Sequence, residues 1–170
     1  DQKNKRVNVM PSKLFSPITM RGLTLGNRVV VAPMCQYSAK DGTAQDWHLM
    51  HLGKLCTGGA GLVIAEATGV SAAGRISPGC LGLYSDANEA AIKRVVDFCQ
   101  QQGTGQIGVQ LAHAGRKAST GAPGTGRQAI GPDEADGWQT VAPSALAYAD
   151  DWNMPLALDD AGLEEVKAQF

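Results

Sequence analysis

Long hydrophobic runs and long runs of like charge are both missing from this sequence of 170 residues. No apolar run approaches the roughly 20 residues that a membrane-spanning helix needs. Lys and Arg number 15 against 16 Asp and Glu, so the chain lacks the charge excess that draws proteins to nucleic acid or to anionic membranes. We therefore expect neither nucleic acid nor a membrane as a partner.

Closely spaced cysteines are missing as well. The chain has no CxxC pair and no Cys/His cluster, which argues against structural zinc and against a disulfide scaffold. The first residues do not resemble a signal peptide, so we expect a reducing cytoplasm. The polar residues 1–11 are expected to form an N-terminal extension. The cysteines are Cys35, Cys56, Cys80 and Cys99.

What the chain does contain is a hydrophobic share of 44%, enough for the core of one domain. Three short β-branched runs predict buried strands of a parallel sheet, and a weaker run at 23–25 precedes them. These runs are 29–32, 62–65 and 107–111.

Helical patterns separate the strands. One helix is predicted to begin with Asp46 as its N-cap and to end at Gly58. A second is predicted to begin near Ser85 or Asp86, with Glu89 placed three residues after Asp86 as in a capping box. It should end at Gly103, and a third helix should be capped by Asp159 or Asp160.

The resulting order is strand, helix, strand, helix, strand, which is typical of α/β proteins. Three such strands fit either an open doubly wound sheet or the first part of a (β/α)8 barrel. Residues 114–156 show no clear period and predict a long loop, either a lid or an active-site insertion.

The sequence Gly-Thr-Gly-Gln-Ile-Gly at 103–108 fits the dinucleotide-binding pattern GxGxxG. That pattern binds pyrophosphate only where it follows a strand and opens a helix. Here it follows a predicted helix and leads into a strand, which favours a helix C-cap and a turn. A nicotinamide-binding doubly wound domain is kept as an alternative function.

Polar groups follow the predicted strands, at the edge where α/β proteins bind ligands. Cys35 and Tyr37 follow the first strand, Glu66 follows the second, and Gln110 and His113 lie at the third. A thiol, a phenol and an amide at adjacent strand ends suit the edge of a planar, heteroatom-rich ring. His48 and His51 have a spacing that suits a metal, but without a third ligand we expect no metal site.

Four segments together resemble the old yellow enzyme family, in order and in spacing. They are Leu-Phe-Ser-Pro-Ile at 14–18, the run from Leu25 to Tyr37, Gly-Arg-Ile-Ser-Pro-Gly at 74–79, and Gln-Leu-Ala-His-Ala-Gly-Arg-Lys at 110–117. The Pro-Met-Cys segment and the last run are similar to the thermophilic-like (class III) branch, near bacterial xenobiotic reductases and NADPH dehydrogenases. The resemblance extends from about Ser12 to Phe170.

The resemblance implies an NAD(P)H-dependent flavin oxidoreductase, an ene-reductase that holds FMN without a covalent link. NADPH or NADH would reduce the flavin, which would pass hydride to the β-carbon of an activated alkene such as an enone. The fold implied for residues 12–170 is about three βα units, plus an N-terminal hairpin, of a (β/α)8 barrel. The rest of the barrel would follow as a continuation or a second chain, and the complete protein would be a homo-oligomer.

The resemblance also implies roles for single residues. Ala32, Pro33, Met34 and Cys35 would line the flavin, with the thiol near its polar edge and tuning its potential. Ala67 would present backbone to the ring, and Gln110 would hydrogen-bond its pyrimidine part. Tyr37 would contact the substrate. The pair of histidines, or of histidine and asparagine, that anchors substrate in this family is expected beyond Phe170, so no catalytic residue is predicted here. A non-catalytic barrel fragment is the third alternative.

Overall fold

A computed structural model describes residues 12–126 and 128–170. The predicted polar extension at 1–11 lies outside the described residues. An antiparallel hairpin opens the described part, with β1 at Ile18–Met20 and β2 at Leu23–Leu25. The hairpin that the family resemblance implied is therefore present.

Three parallel strands form the main sheet, in the order β3, β4, β5. Strand β3 is Val30–Val31, β4 is Leu62–Gly69 and β5 is Gln106–Ala112. Strand β4 therefore lies between the other two, and β3 and β5 pair on one side only within the described residues. All three predicted strands are confirmed, and β3 is shorter than expected.

Helices α1 at Asp46–Thr57 and α2 at Asp86–Gln102 make the two crossovers. The N-cap of α1 is Gln45 and not the predicted Asp46. The backbone N–H of Gln45 donates a hydrogen bond to Nδ1 of His48, three residues into the helix, at 3.0 Å. Ser85 is the N-cap of α2, where its Oγ accepts from the N–H of Asn88 at 3.2 Å.

The capping box predicted at Asp86 and Glu89 is therefore wrong, because the cap is a single hydrogen bond between Ser85 and Asn88. Helix α3, Asp160–Gln169, begins as predicted, and Asp159 Oδ1 accepts from the N–H of Gly162 at 2.8 Å. No helix among the described residues is long and apolar enough to cross a membrane.

The core lies between the sheet and the two crossover helices. Val63 and Ala65 of β4 contact α1 and α2, because successive strand side chains point to opposite faces of a sheet. The buried members of this core are Leu52, Cys56, Ala60, Val63, Ala65, Val95 and Cys99.

The glycine pattern at 103–108 lies at the end of α2 and enters β5, so the doubly wound nucleotide-binding alternative is wrong. The Gly103 N–H donates to the Cys99 carbonyl at 2.8 Å, as in a helix C-cap. A side chain at Gly105 would collide with the carbonyl oxygen of Ala60, so the close approach of two turns requires glycine there.

The predicted loop at 114–156 contains structure that the sequence pattern did not reveal. A 3-10 turn covers Gly115–Lys117, and β6 at Val141–Ala142 pairs in parallel with β7 at Leu156–Ala157. The segment also packs against the residues after β4, since Trp138 Nε1 donates to the Ala73 carbonyl at 3.0 Å.

Candidate functional site

The carboxyl ends of β3, β4 and β5 place three predicted site residues in one row. Ala67 of β4 is in register with Gln110 of β5. On the other side, the backbone N–H of Ala67 donates a hydrogen bond to the sulfur of Cys35. Cys35, Ala67 and Gln110 therefore lie side by side, although 75 positions separate the first from the last in the sequence.

A β-bulge in β4 sets this row. The pairing with β5 passes from Ala65 directly to Ala67, so Glu66 is an extra residue without a partner in β5. Bulges of this kind reorient side chains and are frequent beside active sites. Here the bulge buries Glu66, which is 3% exposed, and leaves Ala67 half-buried at the surface of the row.

The Cys35 thiol is half-buried, and its pKa is lowered from the ordinary value. The main cause is a hydrogen bond donated by the Cys80 thiol, with the Ala67 N–H adding to it. Burial and the Glu66 carboxylate oppose the shift. The pKa of Cys80, which is fully buried, is strongly raised by the same hydrogen bond and by burial. The thiolate of this pair therefore forms on Cys35.

Glu66 and His48 form a buried pair behind Cys35. His48 Nε2 lies 3.5 Å from Glu66 Oε1, and both side chains are almost fully buried. The same Oε1 accepts from the backbone N–H of Gln36 at 3.2 Å, while Oε2 has no hydrogen-bond partner among the described residues. A buried carboxylate thus supports the segment that carries Cys35.

The other predicted residues after β3 form an open surface. Ala32 and Met34 are exposed, with Met34 at 49%, and Pro33 is half-buried between them. Gln110 is also exposed, and its amide makes no hydrogen bond with the described part of the chain. Small or flexible apolar groups and one unpaired amide are therefore available to a ligand.

Tyr37 lies at one wall of a cavity of about 410 Å³. The backbone φ of Tyr37 is +53°, which lies in the left-handed region. Few non-glycine residues adopt this conformation, and those that do are often found at functional sites. Ile76, Ser77, Thr120 and Trp152 line the same cavity. Trp152 comes from the long segment predicted as a lid or insertion.

His113 and its neighbours hold the long segment. His113 Nδ1 accepts from the Gly115 N–H at 3.1 Å, and burial lowers the pKa of this histidine. Arg116 donates to the Leu146 carbonyl at 2.8 Å. The ammonium of Lys117 lies 4.1 Å from the centre of the Tyr148 ring, and so these residues orient loops.

One group of potential metal ligands exists among the described residues: Cys35, Glu66 and Cys80, whose ligand atoms all lie within 4.8 Å of one another. Their wide spacing in the sequence gave no sign of it. His48 and His51, the pair considered from spacing, do not belong to this group.

Residues 13–145 match the NADH:flavin oxidoreductase / NADH oxidase family, which is more than half of the chain. This chain belongs to that family. A NADH:flavin oxidoreductase of Gibberella zeae is 46% identical over 162 residues, which are 94% of this chain and 39% of that protein. An NADPH dehydrogenase of Listeria welshimeri is 44% identical over 161 residues, 94% of this chain and 43% of that protein. The chain thus spans about two fifths of the length of the curated relatives it matches.

Solved structures agree with the family assignment. Morphinone reductase in complex with tetrahydroNAD has a TM-score of 0.75 at 28% identity, with 93% of this chain and 44% of that one covered. The old yellow enzyme homologue of Zymomonas mobilis also has a TM-score of 0.75, at 27% identity, with 93% and 43% covered. The fold is therefore the N-terminal portion of an old yellow enzyme barrel, as the sequence predicted, and the relatives are oxidoreductases that imply FMN and NAD(P)H as cofactors.

The described residues fit one wall of an FMN site. A ring with polar edges needs flat packing on its face and donors at its edge. Ala32 and Ala67 are small and reachable, the Gln110 amide is unpaired within the described residues, and the Cys35 thiol lies beside Ala67. This is the donor set that such a ring requires along one side.

Sequence reasoning missed the support of this row. From the sequence, Glu66 is predicted only to follow a strand, and Cys80 has no neighbouring cysteine or histidine that would indicate a role. No local signal pointed to Cys80, because the reason for Gly79 before it is a contact that shows only in the structure. A side chain at Gly79 would lie 2.6 Å from the Tyr37 carbonyl oxygen, so this glycine marks a contact with the segment after β3.

Proposed function

We propose that this chain forms part of an FMN-dependent ene-reductase that uses NADPH or NADH and reduces activated alkenes such as enones. The observation that carries the proposal is the row of Cys35, Ala67 and Gln110 at the ends of three neighbouring strands. When bound, FMN would accept hydride from the nicotinamide and donate it to the alkene. The chain contributes binding and electrostatics.

Each residue of the row has a role in this proposal. Gln110 hydrogen-bonds the pyrimidine part of the ring through its amide, and Ala67 allows the ring to approach the backbone. Cys35 presents a thiol that already receives hydrogen bonds from Cys80 and from the Ala67 N–H. Ala32, Pro33 and Met34 pack beside the ring. A polar group fixed at the ring edge changes the relative stability of the oxidised and reduced flavin, so Cys35 tunes its potential.

Tyr37 is proposed to contact the substrate. It lines the cavity of about 410 Å³, a volume within the range of small-molecule sites. Burial raises the pKa of the Tyr37 hydroxyl, so this group stays protonated near neutral pH and can donate a hydrogen bond. The histidine pair that anchors the substrate is expected outside this chain.

The remaining barrel units are the partner that this proposal requires. Strands β3 and β5 are edges of the described sheet, and Val30, Val109 and Leu111 are 40–46% exposed. An apolar cleft of about 260 Å³ lies between α2 and β5. Parallel sheets are normally covered on both faces and closed at the edges, so further βα units, as a continuation or a second chain, would cover these surfaces. We call the chain together with those units the completed protein.

We expect the completed protein to be a homo-oligomer of the cytoplasm. The four cysteines of this chain are free, a state that a reducing compartment preserves. A small-molecule alkene would be its substrate, with neither nucleic acid nor membrane as a partner.

The test is FMN binding to the completed protein, followed by visible absorbance. Gln110→Ala should raise the Kd for FMN about tenfold, because one hydrogen bond to a desolvated ring is worth about 1 kcal/mol or slightly more. Gln106→Ala is the matched control, since Gln106 is exposed at the other end of the same strand. Equal affinities of both variants and the parent would contradict the proposed site.

A non-catalytic fragment is the second candidate, and the exposed sheet edges favour it for the chain alone. The isolated chain mixed with FMN separates the two. A colourless chain that does not bind FMN would show that the flavin site needs the remaining units. A yellow chain would show that the row binds flavin without them.

A further inference from the structure

We propose that Cys35 and Cys80 are a peroxide-reactive thiol pair that closes to a reversible disulfide. The sulfurs of both residues lie within 4.8 Å of each other, and one thiol donates a hydrogen bond to the other. A disulfide requires the two backbones to be close, with Cα atoms no more than about 7 Å apart. Contacts between the segment that carries Cys35 and the segment that carries Cys80 bring the two backbones together.

The two segments touch directly. The Ala39 N–H donates to the Gly79 carbonyl at 2.9 Å, and a side chain at Gly79 would meet the Tyr37 carbonyl oxygen at 2.6 Å. Strand β4 holds the Cys80 segment from the other side, since the Gly69 N–H donates to the Leu81 carbonyl at 2.8 Å. These contacts hold the two segments side by side, as a disulfide between them requires.

The pair has an attacking and a resolving member. Cys35 is the half-buried thiol with the lowered pKa, so it supplies a thiolate that a small oxidant can reach. Cys80 is fully buried and its pKa is raised, so it stays a protonated thiol until Cys35 is oxidised. A reactive thiolate beside a protected thiol is the arrangement of a redox-sensitive cysteine and its resolving partner.

The reaction balances with hydrogen peroxide as the oxidant. The Cys35 thiolate attacks one peroxide oxygen, the O–O bond breaks, and hydroxide leaves, which gives a sulfenic acid on Cys35. The Cys80 sulfur then attacks the Cys35 sulfur, the S–O bond breaks, and the hydroxyl leaves with the Cys80 proton as water. Two thiols lose two electrons in total, and one peroxide is reduced.

A metal explains this cluster less well. Only three ligand atoms gather there among the described residues, and metal binding needs deprotonated thiols. Cys80 keeps its proton, because its hydrogen bond with Cys35 and its burial raise its pKa. Disulfide formation needs a thiolate on one member only.

A second thiol pair in the same chain is a built-in control. Cys56 and Cys99 also share a hydrogen bond, but both are buried in the core between α1 and α2. Burial raises the pKa of Cys99 to about 12. Neither thiol of this pair is open to an oxidant.

The experiment treats the reduced completed protein with limiting hydrogen peroxide in the presence of a metal chelator. Free thiols are then blocked with N-ethylmaleimide and the tryptic peptides are analysed by mass spectrometry. Each cysteine lies in its own tryptic peptide, within residues 29–40, 55–75, 76–93 and 95–116. We expect peptides 29–40 and 76–93 to be linked, with the loss of two hydrogen atoms, and to separate again with dithiothreitol.

The linked 29–40 and 76–93 pair should be at least about tenfold more abundant than any link between 55–75 and 95–116, since one pKa unit alone changes thiolate content about tenfold. Cys80→Ser should leave a Cys35 sulfenic acid that a 1,3-diketone traps, whereas Cys99→Ser should form the same link as the parent.

Three results would overturn the proposal: a Cys35 that stays unmodified, a Cys35 sulfinic acid formed while Cys80 remains free, or preferential linkage of Cys56 to Cys99. The parent protein alone yields each of these results, so they do not depend on the folding of a variant. The readout is a link between two peptides and not flavin binding, so the disulfide can fail while the proposed ene-reductase stands, and the reverse.

Discussion

Two hydrogen-bonded thiol pairs occupy opposite regions of this chain. Cys56 and Cys99 lie in the core between the crossover helices, whereas Cys35 and Cys80 lie at the carboxyl ends of the strands. In the core, burial and then the hydrogen bond with Cys56 raise the pKa of Cys99. At the strand ends, the second thiol and the Ala67 N–H lower the pKa of Cys35. The same residue type is thus a packing element in one region and a reactive group in the other.

The largest expected effect concerns stability and belongs to the core. Leu52→Ala should lower the free energy of unfolding of the completed protein by about 2–5 kcal/mol, because it leaves a cavity beside Cys56. Met50→Ala on the same helix is the control, since Met50 is 49% exposed. Urea unfolding measures both. Equal losses would show that this region does not pack as a core.

A smaller loss is expected behind the reactive pair. His48→Ala should cost about 1–3 kcal/mol, because it leaves the Gln45 N–H without its acceptor and takes the imidazole away from the buried Glu66 carboxylate, which keeps the Gln36 N–H. His51→Ala, at a half-exposed position of the same helix, should cost less than about 0.5 kcal/mol. A neutral His48→Ala would mean that Glu66 is supported by Gln36 alone.

The next effect concerns reactivity. Cys80→Ala removes the hydrogen bond that lowers the pKa of Cys35, so the thiolate should form only at higher pH. Burial and the Glu66 carboxylate still disfavour the thiolate in this variant, whereas the backbone N–H groups of Ala67 and of Cys35 itself still favour it. The midpoint of a pH profile for iodoacetamide alkylation of Cys35 should therefore move upward, and reactivity at neutral pH should fall.

The control for this profile is Cys99→Ala. It removes a thiol from the core pair and should leave the alkylation midpoint of Cys35 in place. A midpoint that does not move in Cys80→Ala would show that Cys35 owes its reactivity to another group.

The sequence predicted the elements well and the support of the site poorly. Short β-branched runs located β3, β4 and β5, and glycines located the ends of both crossover helices, because these signals are local. The direction of the chain around Gly103 favoured a helix C-cap over nucleotide binding, and the structure has this C-cap. The resemblance to the old yellow enzyme family named Cys35, Ala67 and Gln110 one by one, and the structure brings them together in one row.

Other features could not be predicted because they depend on contacts between distant segments. Cys80 reaches Cys35 only because the chain after β4 folds back along the segment after β3. The bulge at Glu66 shows itself only through the register of β4 and β5. The contacts of Arg75 also join distant segments, since its guanidinium lies 5.9 Å from the ring centre of Tyr84 and 5.2 Å from that of Trp138.

The reduction potential of bound FMN tests the central claim most directly, namely that the strand-end pair belongs to a flavin site and the core pair does not. Spectroelectrochemical titration of the completed protein should show a shifted potential for Cys35→Ala with little change in the free energy of unfolding. Cys56→Ala should show the parent potential and a loss of about 1 kcal/mol of stability. A Cys35→Ala variant with the parent potential would contradict the account.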